Sequence, residues 1–169
     1  MITLREIREE DSAALLQLNK MLDRESKFML LEADERKLTE EQQREMLRDI
    51  IRSDNSHIFV AEAEGQLVGR LSVMGGNTRR IRHRAEIVIG ILQEYGGQEI
   101  GRKLFEMAER WRQNTALTRL ELTVMTHNSR AIALYKKMGF TIEGLKKHSM
   151  KVDGRYVDEY LMAKIYEDQ

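Results

Sequence analysis

The spacing of apolar residues along the chain switches between a period of two and a period of three to four. A period of two indicates β-strands, and the longer period indicates amphipathic helices. Strands are predicted over residues 2–8, 57–63, 67–73, 87–92, 119–125, 140–152 and 155–165. Helices are predicted after Asp11, after Thr39, over residues 99–114 and after Asn128. The resulting order, β-α-α-β-β-β-α-β-α-β-β, predicts a mixed α+β architecture in one domain, residues 1–169.

Residues that favour caps and tight turns mark the ends of these elements. Asp11 and Asn128 are placed as helix N-caps, and Thr39 with Gln42 resembles a capping box. Gly139 is expected to end the last helix in a left-handed conformation. Hairpins are predicted at Glu64-Gly65-Gln66 and Asp153-Gly154. The buried face of the helix after Thr39 is expected to consist of Met46, Leu47, Ile50 and Ile51.

The most organised stretch runs from Glu86 to Leu104. A continuous apolar run over residues 87–92, rich in β-branched side chains, predicts a buried strand. The chain then turns at Gly96-Gly97 and continues with a helical stripe of Ile100, Leu104, Met107, Ala108 and Trp111. Free backbone N–H groups and the helix dipole make such a strand–glycine turn–helix unit a binding site for phosphate or diphosphate.

Composition narrows the classes of function. The chain has 169 residues, 41% of them apolar, with 28 basic and 28 acidic residues and no cysteine. A balanced charge disfavours nucleic-acid and membrane-surface binding, and the basic segment Arg79–Arg84 is interpreted as a solvated hairpin tip. The four histidines are not spaced as metal ligands, so no metal site is expected. Because no signal peptide or membrane span is visible, a cytoplasmic location is expected.

The stretch from Asn128 to Phe140 reads Asn-Ser-Arg-Ala-Ile-Ala-Leu-Tyr-Lys-Lys-Met-Gly-Phe. It resembles the Asn-x-x-Ala-x-x-Leu-Tyr-x-x-x-Gly-Phe signature of the GNAT acetyltransferase superfamily, and the order of elements resembles that family too. The residues from Glu143 to Met162 are similar to the phosphinothricin, ribosomal-protein and polyamine acetyltransferase subset. The resemblance implies a central, mixed, mostly antiparallel twisted sheet of about seven strands, flanked by four helices and splayed between strands four and five.

The same resemblance implies an N-acetyltransferase that moves an acetyl group from acetyl-CoA to a primary amine. Tyr135 is expected to protonate the departing thiolate, since a phenol with a pKa near 10 matches a thiolate of similar basicity. Glu86 is expected to be the base. The residues expected to bind the cofactor are Ile89, Ile91, Leu92, Gly96, Gly97, Gln98, Glu99, Ile100, Gly101, Arg102, Asn128, Ala131 and Tyr135.

Other bases are left open by the sequence. Glu121 is a weaker candidate, His83 and His127 are further ones, and Thr123 stands where some protein-acetylating relatives have a glutamate. A covalent acyl-enzyme is not expected because the chain has no cysteine, so direct attack in a ternary complex is predicted.

Glu99 departs from the family pattern, which places a glycine at this position of the diphosphate loop. A carboxylate facing the ligand would weaken binding, whereas one pointing into water would barely matter, and the second orientation is predicted. The alternative function is a CoA-binding or sensing module with little turnover. The acceptor is expected to be a small-molecule amine or a protein N-terminus, and the acidic residues Glu25, Glu32, Asp34 and Glu35 hint at a cationic amine such as a polyamine or a protein N-terminus. A homodimer through the C-terminal strands is also left open.

Overall fold

The computed structural model describes residues 1–167, which contain seven strands and four α-helices. The strands are β1 (Ile2–Glu6), β2 (His57–Ala63), β3 (Gln66–Gly75), β4 (Arg84–Ile91), β5 (Arg119–Met125), β6 (Thr141–Val152) and β7 (Arg155–Ile165). The helices are α1 (Ser12–Glu25), α2 (Glu40–Arg52), α3 (Ile100–Arg112) and α4 (Ser129–Lys137). Single turns of 3-10 helix cover Glu9–Asp11 and Gln93–Tyr95. The order of elements matches the sequence prediction.

All seven strands belong to one sheet in the order β1-β2-β3-β4-β5-β7-β6. Every neighbouring pair is antiparallel except β4 and β5, which are parallel. That parallel pairing runs only from Arg84 opposite Arg119 to Glu86 opposite Glu121, and the two strands separate beyond it. The predicted fold, including the splay between the fourth and fifth strands, is therefore confirmed.

Helices cover both faces of the sheet. Gly90 of β4 faces α1, because a Cβ atom at this position would lie 2.7 Å from Cδ1 of Leu22. Gly69 of β3 faces the opposite side, where its Cβ would meet Ile100 of α3 at 3.5 Å. Together the sheet and the helices on its two faces bury a continuous apolar core. This is expected because each helix and each sheet face must cover an apolar surface.

Two of the predicted caps form as expected, and the third position is used differently. Thr39 accepts a hydrogen bond from the Gln42 N–H, and Asn128 accepts one from the Ala131 N–H. Asp11 occupies the N-cap position of α1 without capping it, because its carboxylate binds the Arg5 guanidinium at 2.8 Å and 3.0 Å. Its carboxylate therefore ties α1 to β1 instead of closing the first helical turn.

The predicted buried face of α2 was partly wrong. Leu47 and Ile50 are buried, but Met46 and Ile51 are 46% and 41% exposed. The buried stripe of this helix consists of Gln43, Leu47 and Ile50, whose spacing of four and three places them on one line. Met46 and Ile51 flank that line and face solvent.

Both hairpin turns have two residues in the left-handed region, which matches the twist of the strands they join. Glu64 and Gly65 form the first turn, one residue shorter than predicted, and Asp153 and Gly154 form the second. The edge strand β6 loses register with β7 between Lys146 and Met150. No helix among residues 1–167 combines the length and the apolar character needed to cross a bilayer.

Candidate active site

The separation of β4 from β5 leaves backbone groups of β4 without strand partners. Beyond Glu86, β4 has a neighbour only on its β3 side. The Leu92 N–H donates a hydrogen bond of 2.9 Å to the Val68 carbonyl. Because the direction of the peptide groups alternates along an antiparallel strand, the peptide groups of every second residue before Leu92 also point toward β3. The peptide groups of Ile89 and Ile91 therefore point into the gap, where an extended ligand can bond them like an added strand. The peptide group of Leu92 does not point into the gap, and its buried side chain belongs to the core.

The glycine turn presents further free N–H groups at the start of α3. The first bond of the helix joins the Lys103 N–H to the Glu99 carbonyl at 3.1 Å, so the preceding N–H groups of the helix have no intrahelical partner. Gly97 has a φ of +80° and Glu99 a φ of +59°. Gly101 allows α3 to approach α4, because a Cβ atom there would lie 2.9 Å from Cδ2 of Leu134.

We call the cavity beside this turn the glycine-loop cavity; its volume is about 410 Å³. It is lined by all the residues predicted to bind the cofactor except Leu92 and Gln98. Gln98 is exposed and does not line the cavity. Phe28 and Met29, which precede α2, also line it, and periodicity gave no signal for them because they lie in an irregular segment.

The charged side chains around the glycine-loop cavity are mostly cationic. Arg102, Arg130 and Lys137 line it together with one carboxylate, that of Glu99. Arg130 was not predicted, yet its guanidinium lies 3.3 Å and 3.4 Å from the positions that a Cβ would take at Gly96 and Gly97. Free N–H groups and an excess of positive charge together suit an anionic ligand such as a diphosphate.

The Glu99 carboxylate is exposed and pairs with one of these cations. Its carboxylate accepts a hydrogen bond from Arg102 Nε at 3.0 Å, and this bond lowers the pKa of Glu99. Arg102 also donates two bonds of 2.9 Å to Glu106. Glu99 is therefore exposed and paired while it also lines the cavity, and its small effect on cofactor binding stays a prediction. The pairing also engages one of the three cations around the cavity.

Tyr135 stands at the junction of two cavities. It lines the glycine-loop cavity and also a second cavity of about 350 Å³ on the other side of the splay, which we call the Glu86 cavity. Its ring packs against Phe105 and Phe140, and its hydroxyl has no hydrogen-bond partner among residues 1–167. Burial raises the pKa of Tyr135 to about 12, and the nearby charge of Arg70 partly offsets that rise. The phenol is therefore protonated at neutral pH, and its pKa lies above the value near 10 on which the predicted match with the thiolate rested.

Of the predicted bases, the structure brings Glu86 into the Glu86 cavity, on the same wall as Val88 and Ile89. Its carboxylate forms no hydrogen bond or ion pair with the other described residues. Glu121 instead accepts a bond of 2.7 Å from Arg119, and Thr123 lines the cavity with a hydroxyl that cannot act as a base at neutral pH. His127 packs against Phe28 with ring centroids 5.1 Å apart.

Hydrogen-bonded charged side chains connect α1 to β3 and to the segment before α2, which lines the Glu86 cavity. Arg36 donates bonds of 2.8 Å and 3.1 Å to the carboxylate of Asp23, which ties the irregular segment before α2 to the end of α1. Arg70 of β3 donates to Asn19 of α1 at 2.8 Å, and burial lowers the pKa of Arg70 to about 10. The Arg36–Asp23 pair therefore ties the segment that carries Phe28 and Met29 to α1, and the Arg70–Asn19 bond ties α1 to the sheet.

The sequence is similar to those of known acetyltransferases. A profile of the Acetyltransferase (GNAT) family matches residues 19–140. The L-amino acid N-acetyltransferase AaaT of Escherichia coli is 34% identical over 111 residues, which cover 63% of this chain and 67% of that protein. The spermidine N(1)-acetyltransferase of Escherichia coli is 30% identical over 107 residues, covering 63% of this chain and 56% of that protein. The resemblance stated from the sequence is confirmed.

Solved structures agree over nearly the whole chain. An acetyltransferase of the GNAT family from Streptococcus pneumoniae is 32% identical, with a TM-score of 0.94, and the match covers 98% of this chain and 99% of that one. The Salmonella typhimurium protein yncA, solved with its cofactor acetyl-CoA, has a TM-score of 0.85 at 17% identity, with 99% and 95% of the two chains covered. This second likeness concerns the fold alone.

Proposed function

Because this chain belongs to the GNAT acetyltransferase family, we propose that it transfers an acetyl group from acetyl-CoA to a primary amine by direct attack in a ternary complex. The observation that carries the proposal is the position of Tyr135, whose phenol borders both the glycine-loop cavity and the Glu86 cavity. A donor on one side of the splay and an acceptor on the other would meet at this side chain.

The glycine-loop cavity has the features that a coenzyme A donor requires. Three cations and the free N–H groups at the start of α3 match a diphosphate, and the peptide groups of Ile89 and Ile91 match the amides of pantetheine. When bound, acetyl-CoA supplies an acetyl group activated as a thioester. Arg102 and Arg130 would hold its phosphates, and Asn128 would border it at the start of α4.

Glu86 and Tyr135 divide the proton transfers between them. The Glu86 carboxylate takes a proton from the acceptor ammonium, which frees the lone pair that forms the new N–C bond. As the C–S bond breaks, the electron pair goes to sulfur, and Tyr135 donates its proton there. The transfer needs no acyl-enzyme, which agrees with a chain that contains no cysteine.

The test combines binding and turnover. Calorimetry should give a micromolar Kd for acetyl-CoA, and Arg130→Glu should weaken binding about tenfold or more by placing a negative charge beside the diphosphate. Arg110→Glu, on an exposed position of α3 outside the cavity, is the matched control. A thiol-release assay with amino acids, peptides and polyamines should show turnover, and initial rates should intersect as in a sequential mechanism.

The alternative is a CoA-binding module with little turnover. The pairing of Glu99 with Arg102 favours this alternative, because it reduces the positive charge that is available to bind phosphate. Tight acetyl-CoA binding with no thiol release from any amine would support that alternative. Absence of binding in wild type and in Glu99→Gly would overturn both readings.

A further inference from the structure

Three charged side chains line the Glu86 cavity, the carboxylates of Glu86 and Glu159 and the ammonium of Lys146. Glu86 lies on β4, and Lys146 lies across the cavity on the edge strand β6. Met29 and Leu30 from the segment before α2, together with Met150 of β6, add an apolar lining. A volume of about 350 Å³ is at the small end of the range for ligand sites.

Two of these three charges are not engaged by the protein itself. Within residues 1–167, neither the Glu86 carboxylate nor the Lys146 ammonium has an ion pair or a hydrogen bond. Glu159, which stands directly opposite Lys146 in the β6–β7 register, is occupied by a bond of 2.6 Å from Ser149 Oγ. The cavity is therefore lined by two carboxylates, of which only Glu86 has no hydrogen bond, and by one ammonium, that of Lys146, which has no ion pair among the described residues.

Beyond the Glu86 cavity, the surface becomes basic. A third cavity, of about 290 Å³, shares Met29, Leu30 and Met150 with it, and we call this the Met150 cavity. Its charged lining residues are Arg24, Lys27, Lys151, Asp23 and Glu32. Asp23 is paired with Arg36 and Lys27 with Asp153, so Arg24 and Lys151 remain against Glu32 and the balance is basic.

Two of the four acidic residues that hinted at a polycationic acceptor have carboxylates that are bonded elsewhere in the protein, whereas Glu32 lines the Met150 cavity. Glu25 accepts a bond of 2.7 Å from the Gln93 N–H, and Glu35 accepts one of 3.0 Å from the Glu32 N–H. Neither residue lines the Glu86 cavity or the Met150 cavity. If the first ammonium of a polyamine lay at Glu86, its second ammonium would therefore meet the basic side chains of the Met150 cavity.

From this arrangement we propose that the acceptor is an α-amino acid with an apolar side chain. Its ammonium would lie at Glu86, its carboxylate would pair with Lys146, and its side chain would contact Met29, Leu30 and Met150. The inference rests on the proposed acetyl transfer and names the substrate class of the same site. Lys146 is then a residue that determines specificity and takes no part in the chemistry.

The test compares L-methionine with L-methioninamide, which has the same side chain and no carboxylate. In wild type, kcat/KM for methionine should exceed that for methioninamide at least tenfold. Lys146→Met should bring the ratio close to one by raising KM for methionine at least tenfold. Lys147→Met, a neighbour that lines none of the three cavities, should keep the wild-type ratio.

Several outcomes would overturn the inference. They are equal use of methionine and methioninamide by wild type, better use of spermidine or of a peptide N-terminus, and a ratio that survives Lys146→Met. If no amine releases thiol, the proposed transfer fails, and calorimetry with methionine still decides on the site. Binding to wild type and to Lys147→Met that is lost in Lys146→Met would support the carboxylate site, and equal binding or no binding would refute it.

Discussion

Tyr135→Phe isolates the role of one hydroxyl group. The aromatic ring keeps its contacts with Phe105 and Phe140, whose centroids lie 5.9 Å and 6.3 Å away. Because the hydroxyl has no hydrogen-bond partner among the described residues, its removal should change the free energy of unfolding at neutral pH by less than about 1 kcal/mol. Loss of activity in this variant can then be assigned to chemistry.

The pKa of Tyr135 gives a second quantity to measure. It is about 12 in the folded protein and about 10 in the unfolded chain. Below pH 10 both states hold the proton. Above pH 10 the unfolded chain releases it first, so stability falls as pH rises, by roughly 1 kcal/mol at pH 11 and by about 3 kcal/mol once pH exceeds 12. Tyr135→Phe lacks this loss.

Two assays check the reasoning. Thiol-release kinetics should show kcat reduced about 100-fold in Tyr135→Phe, with an unchanged Kd for acetyl-CoA. Urea unfolding at pH 8 and pH 11 should show that the stability of wild type relative to the variant declines by about 1 kcal/mol. Tyr156→Phe, at a position 60% exposed and outside the cavities, is the control. An unchanged kcat would refute the acid role, and parallel pH profiles would refute the burial of the phenol.

Three further variants test the remaining parts of the site. Glu86→Gln should lower kcat/KM about 100-fold without changing the Kd for acetyl-CoA; a decrease of less than threefold would remove this residue as the base. Glu99→Gly should relieve a left-handed backbone and free Arg102, so calorimetry should give a Kd for CoA about three- to tenfold lower, and equal or weaker binding would contradict this. Asp23→Asn should cost about 3 kcal/mol of unfolding free energy, because it leaves the Arg36 guanidinium without its carboxylate; urea denaturation showing under 1 kcal/mol would speak against this ion pair.

The sequence was most informative where structure depends on neighbouring residues. The capping box of Thr39 and Gln42, the cap at Asn128 and the turn at Asp153-Gly154 are all present. Each is stabilised by bonds or dihedral preferences that span only a few residues, so the local pattern contains the information. The same holds for the glycine turn before α3.

Predictions were incomplete where the outcome depended on distant segments. Leu92 was grouped with Ile89 and Ile91 because all three are apolar and adjacent, yet its N–H bonds to Val68 of β3. Met46 and Ile51 fit the helical spacing of the buried face of α2, yet they are exposed because the buried stripe is narrower than that spacing suggested. In both cases the neighbouring strand or helix, and not the local spacing, decided which way the residue faces.

By itself, the sequence determined the elements, their order and the glycine turn that opens α3, since these follow from hydrophobic period and short-range capping. Only the tertiary structure decided that β4 and β5 part after Glu86 and that Tyr135 borders both resulting cavities. It also brought Lys146 of the edge strand opposite a carboxylate sixty residues earlier in the chain. The relative positions of residues so far apart in the chain depend on strand register and helix docking, which are fixed by the packing of the whole core.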